Sequence, residues 1–301
     1  MCRSTGCKPD HSLRSSDPLL AVEVGNTTVG LALLQYGEVL HSAHVPSSRS
    51  ASQEDFASNI TDACRAWQTG LDRVQSVVLS SVVPEVEPLV QQAVQSLCGV
   101  PVRVVSHDDI ARRMPIRVPE PARVGRDRLL DCLGALTLCP APLIVIDMGT
   151  ATTVNVVDGS GSFVGGLILP GVRTALDALS ARASLLPEVE IVAPPHLIGQ
   201  NPVECMQSGA VYGTAAMIDG LIARIAEQAA RDVNQMDGEQ FSSSSPAFSL
   251  SSLLSSSLSS SSSSFSVLAT GGWASTIVPH CRQSIRYVEH LQMLGLAALA
   301  L

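Results

Sequence analysis

Basic residues are scarce and dispersed: 19 Lys and Arg against 27 Asp and Glu leave a formal net charge of -8 over 301 residues. Binding a nucleic-acid backbone draws on clustered cations that displace counterions from phosphates, so the chain is not built as a nucleic-acid scaffold, and any anionic ligand has to be held by local features. Metal-ligand spacing is missing as well. The eight cysteines, at positions 2, 7, 64, 98, 132, 139, 205 and 281, form no Cys-x-x-Cys pair and have no His spacing suited to tetrahedral zinc. Several fall in apolar runs, which predicts buried free thiols in a reducing cytoplasm. The first eighteen residues, read as a loose tail, lack the apolar stretch of a secretory signal. The most apolar region near the start, Leu19 to Leu34, is interrupted by Glu23, Asn26 and Gly30, which makes a membrane span costly and a strand–turn–strand favoured. The expectation is a cytoplasmic protein with neither a membrane nor a nucleic-acid partner. Apolar mass, by contrast, is plentiful: 46% hydrophobic residues against 15% charged describe a packed globular chain of one large or two medium domains.

The chain repeats itself, and the repeat sets the fold. Leu19 to Leu33 and Leu143 to Val157 both run apolar strand, acid, spacer, glycine, short polar turn, apolar strand. The acid (Glu23, Asp147), the glycine (Gly25, Gly149) and a threonine (Thr28, Thr152) match at one common offset. A further strand-like piece follows each hairpin, near Glu38 and near Phe163, so each half opens as a three-stranded meander. Helical spacing comes next in both halves, at Leu89, Val90, Ala93, Val94 and Leu97, and at Ala210, Val211, Ala215, Ile218 and Leu221. The runs Val77 to Val83 and Val267 to Gly272 then add parallel strands. These readings predict a duplicated α/β chain with halves at 19–140 and 141–301. A serine-rich segment at about 237–266 cannot bury enough surface to offset its ordering entropy and reads as a flexible surface insertion.

An acid–x–Gly turn at a strand end has a definite chemical use. The carboxylate serves a metal ion, and the glycine lets the backbone approach a phosphate without a Cβ in the way. Thr27, Thr28, Thr150 and Thr152 then offer donors to phosphate oxygens. Taken singly, either turn is more often an ordinary hairpin. The pair is harder to explain that way, because a carboxylate ending an apolar strand is expensive to bury unpaired. Further motifs follow in order: Val124 to Arg128, Asp147 to Thr153, Gly165 to Gly171, Gly199 to Gly209, and Thr270 to Gly272.

This ordered series closely resembles the type III pantothenate kinase family, within the superfamily of actin, heat-shock chaperones and sugar kinases. The resemblance implies duplicated actin-like (ribonuclease H-like) α/β domains with an ATP cleft between them, and a homodimer. It also implies ATP-dependent phosphorylation of the terminal hydroxyl of pantothenate, the entry step of coenzyme A synthesis, with Mg²⁺ and a monovalent cation, K⁺ or NH₄⁺. By the same resemblance Glu23, Val24, Gly25, Asn26, Thr27, Thr28, Val29 and Gly30 form an ATP loop, and Thr150 is a second ATP contact. Asp127 accepts the proton of the attacking hydroxyl, and Gly125, Arg126, Asp127 and Arg128 hold pantothenate, with Val118 and Pro202 at two further substrate positions. Asp147 corresponds to the monovalent-cation ligand.

Asp127 also reads as an ordinary acid in the first turn of a helix, favoured by the helix dipole and flanked by Arg126 and Arg128. Four positions depart from the family pattern: Glu23 stands for Asp, Val118 for Tyr, Pro202 for Thr, and Arg126 for a small Ala. Two other readings therefore stay open, a kinase of the same superfamily with another small hydroxyl acceptor and a catalytically weak nucleotide-binding regulator. His107, beside Asp108 and Asp109, reads as a loop residue, and Trp273 as either an adenine platform or a rim residue.

Overall fold

The computed structural model describes residues 17–236 and 265–300; the serine-rich segment and all but the end of the N-terminal tail lie outside them. Two compact units emerge. The first takes the chain up to Pro115, then Pro119–Cys139 and the C-terminal segment from His290, and the second takes Ile116–Val118 and Pro140–Glu289.

In the first unit the meander is β1 (Leu19–Val24), β2 (Thr28–Gln35) and β3 (Glu38–Pro46), followed by α1 (Gln53–Cys64), β4 (Ser76–Ser81), α2 (Glu87–Cys98), β5 (Val102–Val104), α3 (His107–Ala111) and α4 (Arg126–Leu138). The sheet order is β3-β2-β1-β4-β5, with β4 and β5 parallel to β1. Period-two alternation sends Leu20, Val22, Val24, Val29, Leu31 and Leu33 to one face, where Phe56 and Ile60 of α1 and Val90 and Val94 of α2 pack on them. Ser52 and Asp55 start α1 with a reciprocal capping box, and Gly99, at φ 70°, ends α2 in the left-handed conformation.

The second unit repeats the plan with β6 (Leu143–Met148), β7 (Ala151–Val157), β8 (Phe163–Pro170), α5 (Val172–Arg182), α6 (Pro202–Ser208), α7 (Thr214–Met236), β9 (Ser266–Thr270), α8 (Ala274–Ile277) and β10 (Arg286–Tyr287). Its order, β10-β9-β6-β7-β8, matches the first sheet strand for strand. A π-helical stretch, Gly209–Gly213, joins α6 to α7.

The last helix, α9 (Leu291–Ala300), belongs to the first unit, although chain order alone puts it in the second half. It packs on α4 through two glycines: a Cβ at Gly134 would strike the Leu291 carbonyl, and one at Gly295 would strike the Leu130 carbonyl. The two backbones approach that closely only without side chains at the crossing. Asp127, in the first turn of α4, is thereby carried on a helix anchored along its length. Among the described residues no helix is long and apolar enough to cross a membrane. Cys64, Cys98 and Cys132 are buried free thiols, whereas Cys205 is exposed. Burial pushes the Cys64 thiol up to about 12 and the Cys98 thiol up to about 11.

Candidate functional site

Both acidic hairpins form, and in both the carboxylate ends over the glycine two residues on. A Cβ placed on Gly25 would lie 3.3 and 3.7 Å from the Glu23 carboxylate oxygens, and one on Gly149 would lie 3.7 Å from both oxygens of Asp147. The extra methylene of Glu23 therefore leaves its carboxylate about where the shorter Asp147 puts its own, relative to the turn. Opposite Glu23 across the β1–β2 pair stands Gly30, and beside it on β4 stands Ser80; the space that a Cβ on Gly30 would take is closed by Met293 Cε, 2.8 Å away, and by the His44 ring, 3.7 Å away.

The first turn is fixed by three backbone bonds: Gly25 N to Thr28 O at 2.9 Å, Ser47 N to Thr27 O at 3.0 Å and Val82 N to Val24 O at 3.0 Å. Asn26, Thr27 and Thr28 are exposed at its tip, while Val24, Val29 and Gly30 are buried strand positions that support it. In the second turn Gly149 N donates to Ala151 O at 3.0 Å. The Thr150 carbonyl accepts from Gly171 N at 3.1 Å and from the Thr174 hydroxyl at 2.8 Å, which ties this turn to the start of α5. Gly171 can approach only because it has no Cβ, which would meet the Gly149 and Thr150 carbonyls.

The repeat breaks one residue past the glycine. Val24 pairs with Val29 in the first hairpin, but Met148 pairs with Thr152 in the second, so the second loop is one residue shorter. A one-residue slip turns every following side chain to the other face. Thr152, aligned with Thr28 by sequence, is fully buried on the core side and offers no donor at the turn, a correction to the sequence reading. Thr153 instead stands beside Asp147, with Thr270 of β9 on the other side, and the Thr153 hydroxyl accepts from Asn155 Nδ2 at 3.1 Å. Gly271, at φ 91°, closes this corner: a Cβ there would strike Asp147 Oδ1 and lie 2.6 Å from Met148 N.

Asp127 returns to the first unit. It sits half-buried in the first turn of α4, where Gly125 is the N-cap residue. Its Oδ1 accepts from Arg128 N at 2.8 Å and folds over Gly125, whose missing Cβ leaves the space. Burial lowers the pKa of the Arg128 guanidinium, against the raising influence of Cys132 and Asp127. Arg126, which the resemblance puts among the pantothenate contacts, has its side chain bound to other elements of the first unit. Its guanidinium is engaged by the carbonyls of Val105 at 2.6 Å and Ser81 at 2.5 Å and by Glu87 Oε2 at 3.2 Å. His107 carries a role its sequence context hid. From the first turn of α3, opened by a Ser106–Asp109 capping box, its Nε2 donates to the Val124 carbonyl at 2.7 Å and steadies the loop that enters Gly125.

In the second unit, Val118 is half-buried just after a bridge between Ile116 and Phe163. Asn201 caps α6 by accepting from Glu204 N at 3.0 Å, and Pro202 takes the first helical position, where its missing N–H costs nothing. Asn201 and Pro202 line an open, mostly apolar pocket of about 800 Å³ with Pro170, Val172, Leu176 and Met206. Trp273 packs against the core of this unit, and the Arg173 guanidinium lies 5.7 Å over its ring, which makes it a rim residue with one face covered.

Two α/β units of one strand order, each closing its first hairpin on acid–x–Gly, define a duplicated α/β protein. The model of the type III pantothenate kinase family matches residues 19–224. The type III pantothenate kinase of Moorella thermoacetica is 37% identical over 207 residues, covering 69% of this chain and 81% of the relative. That of Frankia casuarinae is 30% identical over 279 residues, 92% of this chain and 96% of the relative. Type III pantothenate kinase 1 of Symbiobacterium thermophilum is 35% identical over 220 residues, 71% and 81%. The chain belongs to the type III pantothenate kinase family.

Proposed function

We propose that the protein phosphorylates the terminal hydroxyl of pantothenate with ATP, the first step of coenzyme A synthesis, in the cytoplasm. The observation that carries the reading is the matched placement of two carboxylates over two hairpin glycines, one in each unit, in a chain of this family. Glu23 and the turn residues Gly25 to Thr28 receive ATP in the first unit, and Thr150 with Asp147 serves it in the second. Asp127 faces the acceptor hydroxyl, and Gly125 to Arg128 shape the acceptor side, Arg126 through its anchoring contacts. Val118 and Pro202, in the second unit, are assigned to pantothenate through the family pattern alone.

Among the described residues no three His, Cys, Asp or Glu side chains gather as a metal cage. Glu23 would hold a Mg²⁺ carried on the nucleotide. Asp147 fits a monovalent cation, since Gly271 leaves open the space at its carboxylate that a Cβ would fill. Bound cations supply charge neutralisation on the phosphate oxygens. The rest is positioning by the chain. The hydroxyl oxygen forms a bond to the γ-phosphorus as the bond to the ADP oxygen breaks, and the hydroxyl proton passes to the Asp127 carboxylate and on to solvent. Leu179, Ile198, Val203 and Met217 are exposed apolar residues of the second unit, three of them on α5, α6 and α7, and their exposure supports a homodimer.

The test is a panel of small hydroxyl compounds incubated with γ-labelled ATP and the full chain. Label on pantothenate supports the reading. Label on another acceptor alone, which the Val118 and Pro202 departures would allow, replaces the substrate; ATP binding with no transfer to any acceptor identifies a regulator instead.

A further inference from the structure

We infer that Arg126 is a positioning residue that sets Asp127 against the strand ends carrying the first hairpin. The inference rests on the reading of Asp127 as the group that faces the acceptor hydroxyl. Arg126 is the first residue of α4, next to Asp127, yet its side chain leaves the helix and binds three other elements. Nη1 donates to the Val105 carbonyl just past β5, and Nη2 donates to the Ser81 carbonyl at the end of β4 and to Glu87 in the first turn of α2. The Arg126 side chain is 20% exposed and Glu87 25%.

Burial decides the weight of these contacts. An ion pair in open water contributes little because solvent screens it and two long side chains must be immobilised. A mostly buried guanidinium is held to one geometry, since any other would strand a charge and two carbonyls without partners. The planar fork is also what allows one side chain to serve two carbonyls and a carboxylate together, which a lysine ammonium cannot do in the same geometry.

The clamp connects the two halves of the reaction within the first unit. Ser81 pairs in register with Val24, and Val82 N donates to the Val24 carbonyl, so the backbone held by Arg126 is the direct neighbour of the strand that carries Glu23. On the other side of Gly125, His107 holds the Val124 carbonyl. The entry to α4 is thus pinned one residue before Gly125 by His107 and one residue after it by Arg126, and Asp127 follows directly. An alanine at 126 would leave α4 anchored by its packing on α9, several residues away, and would remove the bonds that Arg126 makes to β4 and α2.

Kinetics of the full-length Arg126→Ala, Arg126→Lys and Asp127→Asn proteins and of the Arg126→Ala/Asp127→Asn double variant test this, with thermal unfolding recorded for each. Expected is a fall in kcat of about tenfold for Arg126→Ala with the KM for ATP nearly unchanged, since small misplacement of a reacting group is costly. Arg126→Lys, which retains bulk and charge, recovers only part of kcat. In the Asp127→Asn background the alanine at 126 costs almost nothing further, because the effect runs through Asp127. An equal fold-loss in both backgrounds overturns the inference, as does wild-type kcat in folded Arg126→Ala, or in Arg126→Lys should the alanine variant not fold. Full turnover by Asp127→Asn overturns the reading of Asp127 itself; an inactive Asp127→Asn beside a fully active Arg126→Ala overturns the positioning role alone.

Discussion

Gly271→Ala reports directly on the corner that holds Asp147. Gly271 adopts φ 91°, and the added Cβ would strike Asp147 Oδ1 and stand 2.6 Å from Met148 N and 2.7 Å from Met148 C. Two costs add. Placing a side chain at this φ costs about 1–2 kcal/mol. Forcing a methyl against backbone atoms that cannot swing away costs about 1–3 kcal/mol more. The sum, about 2–5 kcal/mol, lowers Tm by about 5 °C or more for a chain of this size. Relief can come only by moving Gly271 or Asp147, and a shift of about 1 Å at a reacting centre costs about a hundredfold in kcat/KM. Gly272 is the internal control, since a Cβ there meets nothing within 4 Å. Gly272→Ala should keep its stability within about 0.5 kcal/mol of wild type. Calorimetry and steady-state kinetics on the two variants decide the matter. A Gly271→Ala protein with wild-type Tm and kcat/KM would refute the assignment of Gly271 as the residue that makes room for Asp147.

Gly125→Ala puts a Cβ on Asp127 Oδ1 and should lower kcat at least tenfold while Tm falls modestly, read by kinetics and calorimetry together. The Asp109 carboxyl is held down to about 2, first by the Ser106 amide and then by the Ser106 hydroxyl. With a folded value below the ordinary 3.8, its stabilisation is complete above that pH and is lost as pH falls through about 2. The stability gap between wild type and Asp109→Asn should close over that window in denaturant titrations at stepped pH. Among the described cysteines, exposed Cys205 should react with a thiol reagent at neutral pH well before buried Cys64 and Cys98, whose thiols stay protonated; peptide mapping after timed labelling reads the order. Ile198→Asp, at an apolar residue 81% exposed on the second unit, should yield a monomer in sedimentation if that surface joins two copies.

Much of this architecture was legible in the chain itself, because an acid and a glycine two residues apart at the end of an apolar strand are a local signal. Both hairpins, both meanders and the parallel strands beyond them follow from alternation and turn chemistry. Thr152 was misread because loop length, which sets the face of every following residue, is not encoded in the motif: the shorter second turn hands the place beside Asp147 to Thr153. The allegiance of α9 was hidden for another reason. Its apolar residues would suit either sheet, and the glycine crossing that fixes it to α4 joins Gly134 to a segment more than 150 residues later. Arg126 and His107 show the same limit, since their partners, Ser81, Glu87, Val105 and Val124, are set by tertiary packing rather than by spacing.

The central claim is transfer of the ATP γ-phosphoryl group to pantothenate with Asp127 at the hydroxyl. Phosphorus NMR of a reaction containing ATP, Mg²⁺, a potassium salt, pantothenate and the full-length protein tests it directly, run in parallel with Asp127→Asn. Wild type should convert ATP to ADP in step with a new phosphomonoester on pantothenate, and Asp127→Asn should slow that conversion by about 10²–10⁴-fold while still binding ATP. Absence of the pantothenate phosphomonoester with wild-type protein that demonstrably binds ATP, or its undiminished formation by Asp127→Asn, would contradict the account.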